Sequence, residues 1–338
     1  MNPLLTVQEL AVSFDTYAGE VKAVDKITFE VFPGEAVGIV GESGCGKSVT
    51  AHAIMRLITT PPGKFTNGRI LFAGMDLLLK SEKEMEKIRG NDISMIFQDP
   101  MTSLNPVLTV GLQIAESLEL HQQMNRTAAY ARAVELLRLV GIPSPEQRVN
   151  NYPHQFSGGM RQRAMIAMAL ACEPQLLIAD EPTTALDVTI QAQILDLMKE
   201  LQQKLNTAII FISHDLGAVA GLCNRVVVMY AGKIVETGTA LDIFHSPQHP
   251  YTWALLQSVP RADIARQEQL AVIEGQPPDL LNPPAGCPFH PRCPHAMRIC
   301  AEHYPQTTIL AAAHSVNCWL QHPGAPKHQR EVESHVAR

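Results

Sequence analysis

The sequence predicts an α/β protein with an inserted helical region and a small irregular C-terminal lobe, on three observations. Across residues 1 to about 240, short apolar runs alternate with longer helix-like stretches, the rhythm of strands and covering helices. The clearest apolar runs end in polar residues, where open α/β sheets bind ligands. From about Pro247 that rhythm stops, prolines multiply, and four of the seven cysteines gather.

Three strands are clearly bounded. Residues 36–40 read Ala-Val-Gly-Ile-Val and lead into a glycine-rich run. Residues 176–179 (Leu-Leu-Ile-Ala) end in two carboxylates, Asp180 and Glu181, and residues 207–213 end in His214. A further run, 93–97, precedes Gln98. Near-continuous apolar strands predict a sheet covered on both faces. Between about Asp99 and residue 165 the pattern turns helical, with amphipathic stretches at 110–119 and 127–140 and a stop at Gly141-Ile142-Pro143.

Composition narrows the function classes. The 338 residues suffice for one large domain and a smaller one, and 46% hydrophobic against 18% charged residues allows a sizeable core. A net charge of −6 argues against a protein that lives on nucleic-acid phosphates, which needs a basic face. No apolar run approaches the ~20 residues that span a bilayer, and the N-terminus lacks the basic start and apolar segment of a secretory signal. A cytoplasmic chain is expected, with any membrane role reached through a partner.

The chemistry-bearing residues begin at Gly41. Gly41-Glu42-Ser43-Gly44-Cys45-Gly46-Lys47-Ser48 fits G-x-x-x-x-G-K-[ST], between a strand and a helix-like run that starts at Val49. Glycines there let backbone N–H groups wrap phosphates, and the helix N-terminus adds positive potential. Lys47 is placed to reach the β- and γ-phosphates and Ser48 to ligate Mg²⁺. Gly41, Ser43, Gly44, Cys45, Gly46, Lys47, Ser48 and Val49 are therefore candidate ATP contacts. Cys45 lies inside the loop, so a bulky thiol reagent is expected to block ATP. Asp180 is a candidate Mg²⁺ carboxylate, and Glu181 a candidate for orienting the attacking water. Ser157-Gly158-Gly159-Met160-Arg161-Gln162 is a second anion site, an N-cap and two glycines opening a helix. It lies about 110 residues beyond Lys47, so two chains packed head-to-tail explain it better than one.

These residues together resemble the nucleotide-binding subunit of ABC transporters over roughly residues 4–245. Gly41 to Ser48 resembles the Walker A loop, and the strand ending in Asp180-Glu181 resembles Walker B. Ser157 to Gln162 resembles the LSGGQ signature, with Phe156 in place of leucine and Met160 in place of glutamine. Gln98 resembles the Q-loop glutamine that contacts Mg²⁺ and senses the transmembrane subunit. Ala185-Leu186-Asp187 resembles the D-loop, and His214 the switch histidine. The resemblance implies a P-loop ABC cassette at residues 1–245, with a helical subdomain at about 99–165. It also implies ATP hydrolysis with Glu181 and His214 as catalytic groups, and an aromatic on the adenine, for which Tyr17 is the choice and Phe14 the rival.

The C-terminal part, residues 246–322, extends the resemblance. His249-Pro250-Tyr251-Thr252, Gly275-Gln276-Pro277-Pro278 and Gly286-Cys287 look like the C-terminal extension of peptide-family importer ATPases, as does the run Ile96 to Pro106. The cysteines Cys287, Cys293, Cys300 and Cys318 read C-x5-C-x6-C-x17-C. Spacing alone allows a structural Zn²⁺, a [4Fe–4S] cluster, a mixed site with His290, His295 or His314, or four unliganded thiols. The family resemblance implies the iron–sulfur cluster as the staple of a lobe with little core of its own. Residues 323–338 are polar and expected to be disordered.

The resemblance thus implies one of two ATPase subunits powering uptake of peptides or a related small solute. The partners implied are a homologous ATPase in a heterodimer, two permeases and an extracytoplasmic solute-binding protein, on the cytoplasmic face of the inner membrane. Two rivals are a non-transport ABC ATPase of ribosomes or DNA, and an exporter ATPase. The first usually carries two cassettes or a long coiled coil, absent here, and the peptide-family lobe counts against the second.

Overall fold

The computed structural model describes residues 2–99, 103–184, 186–258 and 273–326. Twelve strands are found there, forming two sheets. Four of them, β1 (Leu5–Thr16), β2 (Gly19–Val31), β4 (Gly63–Phe72) and β5 (Met75–Asp76), make an antiparallel sheet in the order β2-β1-β4-β5. The other eight are β3 (Ala36–Val40), β6 (Ile93–Ile96), β7 (Leu176–Asp180), β8 (Ala208–Ser213), β9 (Arg225–Tyr230), β10 (Lys233–Thr239), β11 (Thr308–Ala311) and β12 (His314–Val316). They run in the order β11-β12-β10-β9-β3-β8-β7-β6. The stretch from β9 to β6 is parallel, and β10, β12 and β11 add to it antiparallel.

Alternation along the parallel strands builds two cores from one sheet. Leu176 and Ile178 of β7, Ile210 and Ile212 of β8 and Val37 and Ile39 of β3 face the antiparallel sheet and the helix Lys47–Ile54. Leu177 and Ala179, Ile209 and Phe211, and Val40 face the opposite way. There they meet the helices Val110–Gln122, Arg126–Leu139 and Gly158–Ala169, of which the first two fall within the helical region the sequence predicts and the third runs past its end. Each of these helices opens on a side-chain cap: Thr109 accepts from Leu112 N–H, Asn125 from Ala128 N–H, and Ser157 from Met160 N–H. Gly141, at φ +73°, sits just past the second, as the stop signal requires.

The C-terminal segment is less irregular than its prolines suggest. Its hairpin β11–β12 lengthens the main sheet, with Glu236 opposite Val316 and Thr237 opposite Ser315. Tyr251, Cys287, Phe289 and Cys300 belong to the same buried core as β7 and β8. The lobe is thus joined to the cassette by sheet and core. Most of the expected tail, residues 327–338, lies outside the described residues, as do Pro100, Met101, Thr102 and Ala185 of the motif runs.

Candidate functional site

Strand order places the candidate residues. β6, β7, β8 and β3 are neighbours in the parallel sheet, with Ile96 opposite Ala179, Asp180 opposite Ile212 and Ser213 opposite Val40. The residues at the end of each strand therefore emerge side by side: Gln98 after β6, Asp180-Glu181 at β7, His214 after β8 and Gly41 after β3. Residues as far apart in sequence as Gly41 and His214 become one rim.

On that rim Glu181 is the meeting point. Its carboxylate accepts from Gln98 Nε2 at 2.9 Å and from Thr184 Oγ1 at 3.0 Å, and His214 Nδ1 stands 3.4 Å from its other oxygen. Its backbone has φ +48°, a conformation that strains a residue with a Cβ. The backbone N–H of Glu181, bonded to Ile212 O at 2.9 Å, holds it there. Beside it, Asp180 is nearly buried and accepts from Ser48 Oγ at 3.1 Å. Burial pushes the Asp180 carboxyl above its ordinary range, and the Ser48 hydroxyl works against that shift. The Ser48–Asp180 pair is a hard oxygen set of the kind Mg²⁺ takes.

The loop Gly41–Ser48 is closed by its own lysine. Lys47 Nζ donates to Gly41 O at 2.8 Å and Glu42 O at 2.9 Å. Gly41 and Gly46 have φ of +153° and +101°, and a Cβ on either would lie 2.2–2.4 Å from a backbone oxygen of Met229 or Ala23. Only glycine fits both positions. The Cys45 thiol is buried, and burial pushes its pKa up, so a reagent meets a covered, protonated group.

Ser157 and Gly158 are exposed at the start of their helix, above the buried anchor Phe156. The Ser157 hydroxyl is taken up by its own helix, accepting from Met160 N–H at 3.3 Å. Asp187 is exposed and caps the helix Val188–Leu205, accepting from Ile190 N–H at 2.9 Å. Tyr17 stands at the β1–β2 turn, fully exposed, whereas Phe14 packs against the antiparallel-sheet core. Only Tyr17 of the two presents a free ring.

The four C-terminal cysteines are brought together. Cys287, Cys293, Cys300 and Cys318 line one cavity, with His249, His290, His295, Phe289 and Trp319. None of the seven cysteines is in a disulfide. Burial pushes the thiols of Cys287 and Cys318 up to about 12 and that of Cys293 to about 11. Among the described residues no three His, Cys, Asp or Glu side chains are placed to hold a single metal ion.

Sequence reasoning missed Thr184, although the motif spacing puts it three residues past Glu181. It also missed what Glu42, Tyr251 and Arg292 do, because their contact joins positions some 250 residues apart.

Comparison with known proteins agrees with this geometry. The family described as ABC transporter matches residues 24–184, and the family described as Oligopeptide/dipeptide transporter, C-terminal region, matches residues 235–300. The oligopeptide transport ATP-binding protein OppD of Bacillus subtilis is 60% identical over 324 residues, covering 96% of this chain and 90% of that protein. The dipeptide transport ATP-binding protein DppD of the same organism is 59% identical, covering 95% and 96%. Among solved structures, the dimeric post-hydrolysis state of the ATP-binding cassette MJ0796 bound to ADP and Pi aligns with a TM-score of 0.63 at 26% identity. It covers 70% of this chain and 98% of that one.

Proposed function

This chain belongs to the ATP-binding proteins of the oligopeptide/dipeptide ABC transporter family, and from that premise we propose that it hydrolyses ATP to drive peptide uptake. The observation that carries the reading is the convergence of Gln98, Thr184 and His214 on Glu181, beside the Ser48–Asp180 pair.

The work is divided among the residues of the rim and the loop. Backbone N–H groups of Gly44 to Val49 and the N-terminus of the helix Lys47–Ile54 receive the phosphates. Lys47 exchanges its two loop carbonyls for phosphate oxygens. Ser48 and Asp180, with Gln98, would hold Mg²⁺, which when bound neutralises charge on the phosphates. Glu181 orients the attacking water, and Gln98, Thr184 and His214 fix its carboxylate so that little reorganisation is needed during reaction. Tyr17 stacks on the adenine. Ser157, Gly158 and Gly159 face outward and cover the ATP of a partner cassette, with Asp187 at the same dimer face. This is positioning and electrostatics more than covalent chemistry.

The partners of this reading are a sister ATPase, two permeases and an extracytoplasmic peptide-binding protein. No helix among the described residues is long and apolar enough to cross a membrane. The chain then works peripherally, at the cytoplasmic face of the inner membrane. The match of its residues 235–300 to the oligopeptide/dipeptide C-terminal region weighs against an exporter and against a ribosome- or DNA-directed ATPase.

Glu181→Gln tests the reading. Hydrolysis falls by about 10²–10⁴ while ATP binding survives, the range for an acid–base group. Turnover near wild type removes Glu181 from the role.

We also propose that Cys287, Cys293, Cys300 and Cys318 hold a [4Fe–4S] cluster, with Zn²⁺ as the alternative. Two observations support it. The four thiols share one cavity, and His249, buried beside it, has an Nε2 with no partner, a donor aimed at nothing the protein supplies. The Nδ1 of the same ring accepts from Tyr251 N–H, which leaves the proton on Nε2. A group bearing sulfide or thiolate acceptors satisfies that donor. Iron and acid-labile sulfide in the freshly purified chain, lost in Cys300→Ser, is the expected result; stoichiometric zinc selects the alternative, and neither metal refutes both.

A further inference from the structure

Glu42, the second residue of the phosphate-binding loop, is gripped from the C-terminal lobe at both its backbone and its side chain. Its N–H donates to Tyr251 Oη at 2.8 Å. Its carboxylate receives Arg292 through two nitrogens, at 2.7 and 3.0 Å. The Arg292 side chain is only 5% exposed. The rest of its guanidinium is also held, donating to Glu274 O at 3.0 Å, Ile273 O at 3.0 Å and Tyr230 Oη at 3.1 Å. The bonds to Glu42 and Tyr230 push its already high pKa further up, so it is a permanent cation here. Behind it, Tyr230, Tyr251 and Phe289 pack ring against ring at 4.6–5.4 Å and are almost wholly buried.

We propose that Arg292 and Tyr251 are positioning residues for ATP binding: the C-terminal lobe holds the phosphate-binding loop in the shape that receives phosphate. The proposal rests on reading Gly41–Ser48 as that loop. Three features argue for it. A bidentate charge-assisted pair with both partners fixed is directional as well as strong. The loop it holds carries three glycines with positive φ, so its backbone has much freedom to lose on binding, and a brace removes that freedom beforehand. Finally, the carbonyl of Glu42 is one of the two that Lys47 holds, so a shift of Glu42 shifts the lysine that reaches the phosphates.

The brace also joins two sites. Arg292 precedes Cys293, and Phe289 follows Cys287 by two residues, so the segment 287–293 touches the cysteine cavity with one set of side chains and the loop with the other.

Calorimetric titration of the purified full chain with MgATP tests this, alongside steady-state hydrolysis in the assembled importer. Arg292→Met weakens ATP binding by about five- to tenfold, as loss of a charge-assisted pair implies. Glu42→Gln does about the same, and the double variant no more than either alone, because both break one interaction. Arg292→Lys, which keeps the charge but not the fork, recovers part of the loss. In hydrolysis KM rises by the same factor while kcat stays within about twofold, the mark of lost ground-state binding. Wild-type affinity in Arg292→Met and Glu42→Gln, with only a lowered melting temperature, overturns the proposal, as do additive losses in the double variant. If Arg292→Met does not fold, Glu42→Gln and Tyr251→Phe decide alone: unchanged affinity in both overturns it. Lys47→Ala checks the loop reading separately, since it abolishes ATP binding whether or not the brace matters.

Discussion

Two carboxylates in this molecule are surrounded alike and do different things. Glu181, after β7, gathers Gln98, Thr184 and His214. Glu236, within β10, gathers Gln248 N–H at 2.7 Å, His249 N–H at 2.9 Å, Thr252 Oγ1 at 2.6 Å and His314 Nε2 at 2.9 Å. What separates them is access. The Glu236 side chain is fully buried, while that of Glu181 keeps 16% of its surface and faces a histidine that is mostly exposed. Backbone also differs, since Glu181 has the strained positive φ, while Glu236 lies within β10, just past a register shift between Ile234 and Glu236, and is not among the positive-φ residues. A crowd of donors does not identify a catalytic group. An open edge and a strained backbone at the end of a strand are what set Glu181 apart.

Substitution should separate the two along different axes. Glu181→Gln, the largest effect on turnover, is expected to leave thermal stability within about 1 kcal/mol of wild type, since it is partly exposed and relieves no packing. Glu236→Ala should do the reverse. It strands two backbone N–H groups and the ring of His314 in a buried site, and each buried donor left without a partner costs about 1–3 kcal/mol. The bonds of Glu236 tie β10 to the start of the helix Pro250–Gln257 and to β12, so the loss falls on attachment of the C-terminal lobe. A drop in melting temperature with hydrolysis per folded molecule near wild type would sharpen the contrast. Equal losses of stability in both variants would break it.

The same contrast explains what was legible in the sequence. Gly41–Ser48, Asp180-Glu181, His214 and Ser157–Gly159 are short contiguous signals at strand or helix ends, and the parallel strands that carry them read as apolar runs. The antiparallel sheet was not legible. β1 pairs with β2 through shifts at Val7/Leu10, Leu10/Val12 and Val12/Ser13, with Glu9 at φ +45°, and those irregularities break the period-two pattern that reveals a strand. β10 hides differently, since its Glu236 is a charged residue in a buried position and argues against a core strand until its four partners are known. Arg292 and Glu42 could not be paired, because no local rule links positions 250 residues apart. The prolines of 277–294 suggested an irregular lobe, yet β11 and β12 come after them and complete the main sheet.

The smallest effect gives the cleanest comparison, because each cluster contains one threonine hydroxyl bonded to its carboxylate. Thr184→Val removes a donor from Glu181 without changing side-chain shape. Gln98 still donates to the same Oε2, and the side chain keeps some exposure to water. A hydrogen bond to a carboxylate is worth about 1.5–3 kcal/mol where dry and less where another donor or water can take its place, so kcat should fall by about two- to tenfold while the melting temperature barely moves. Thr252→Val makes the same change at Glu236, where no water replaces the lost donor. The desolvated oxygen is left one bond short, at about 1–3 kcal/mol of stability, with kcat little changed. Measured together by steady-state hydrolysis and thermal unfolding, the two variants should move opposite quantities. If Thr184→Val lowers the melting temperature as much as Thr252→Val and leaves kcat alone, Glu181 is held for architecture, and the assignment of the water-orienting role to it fails with the comparison.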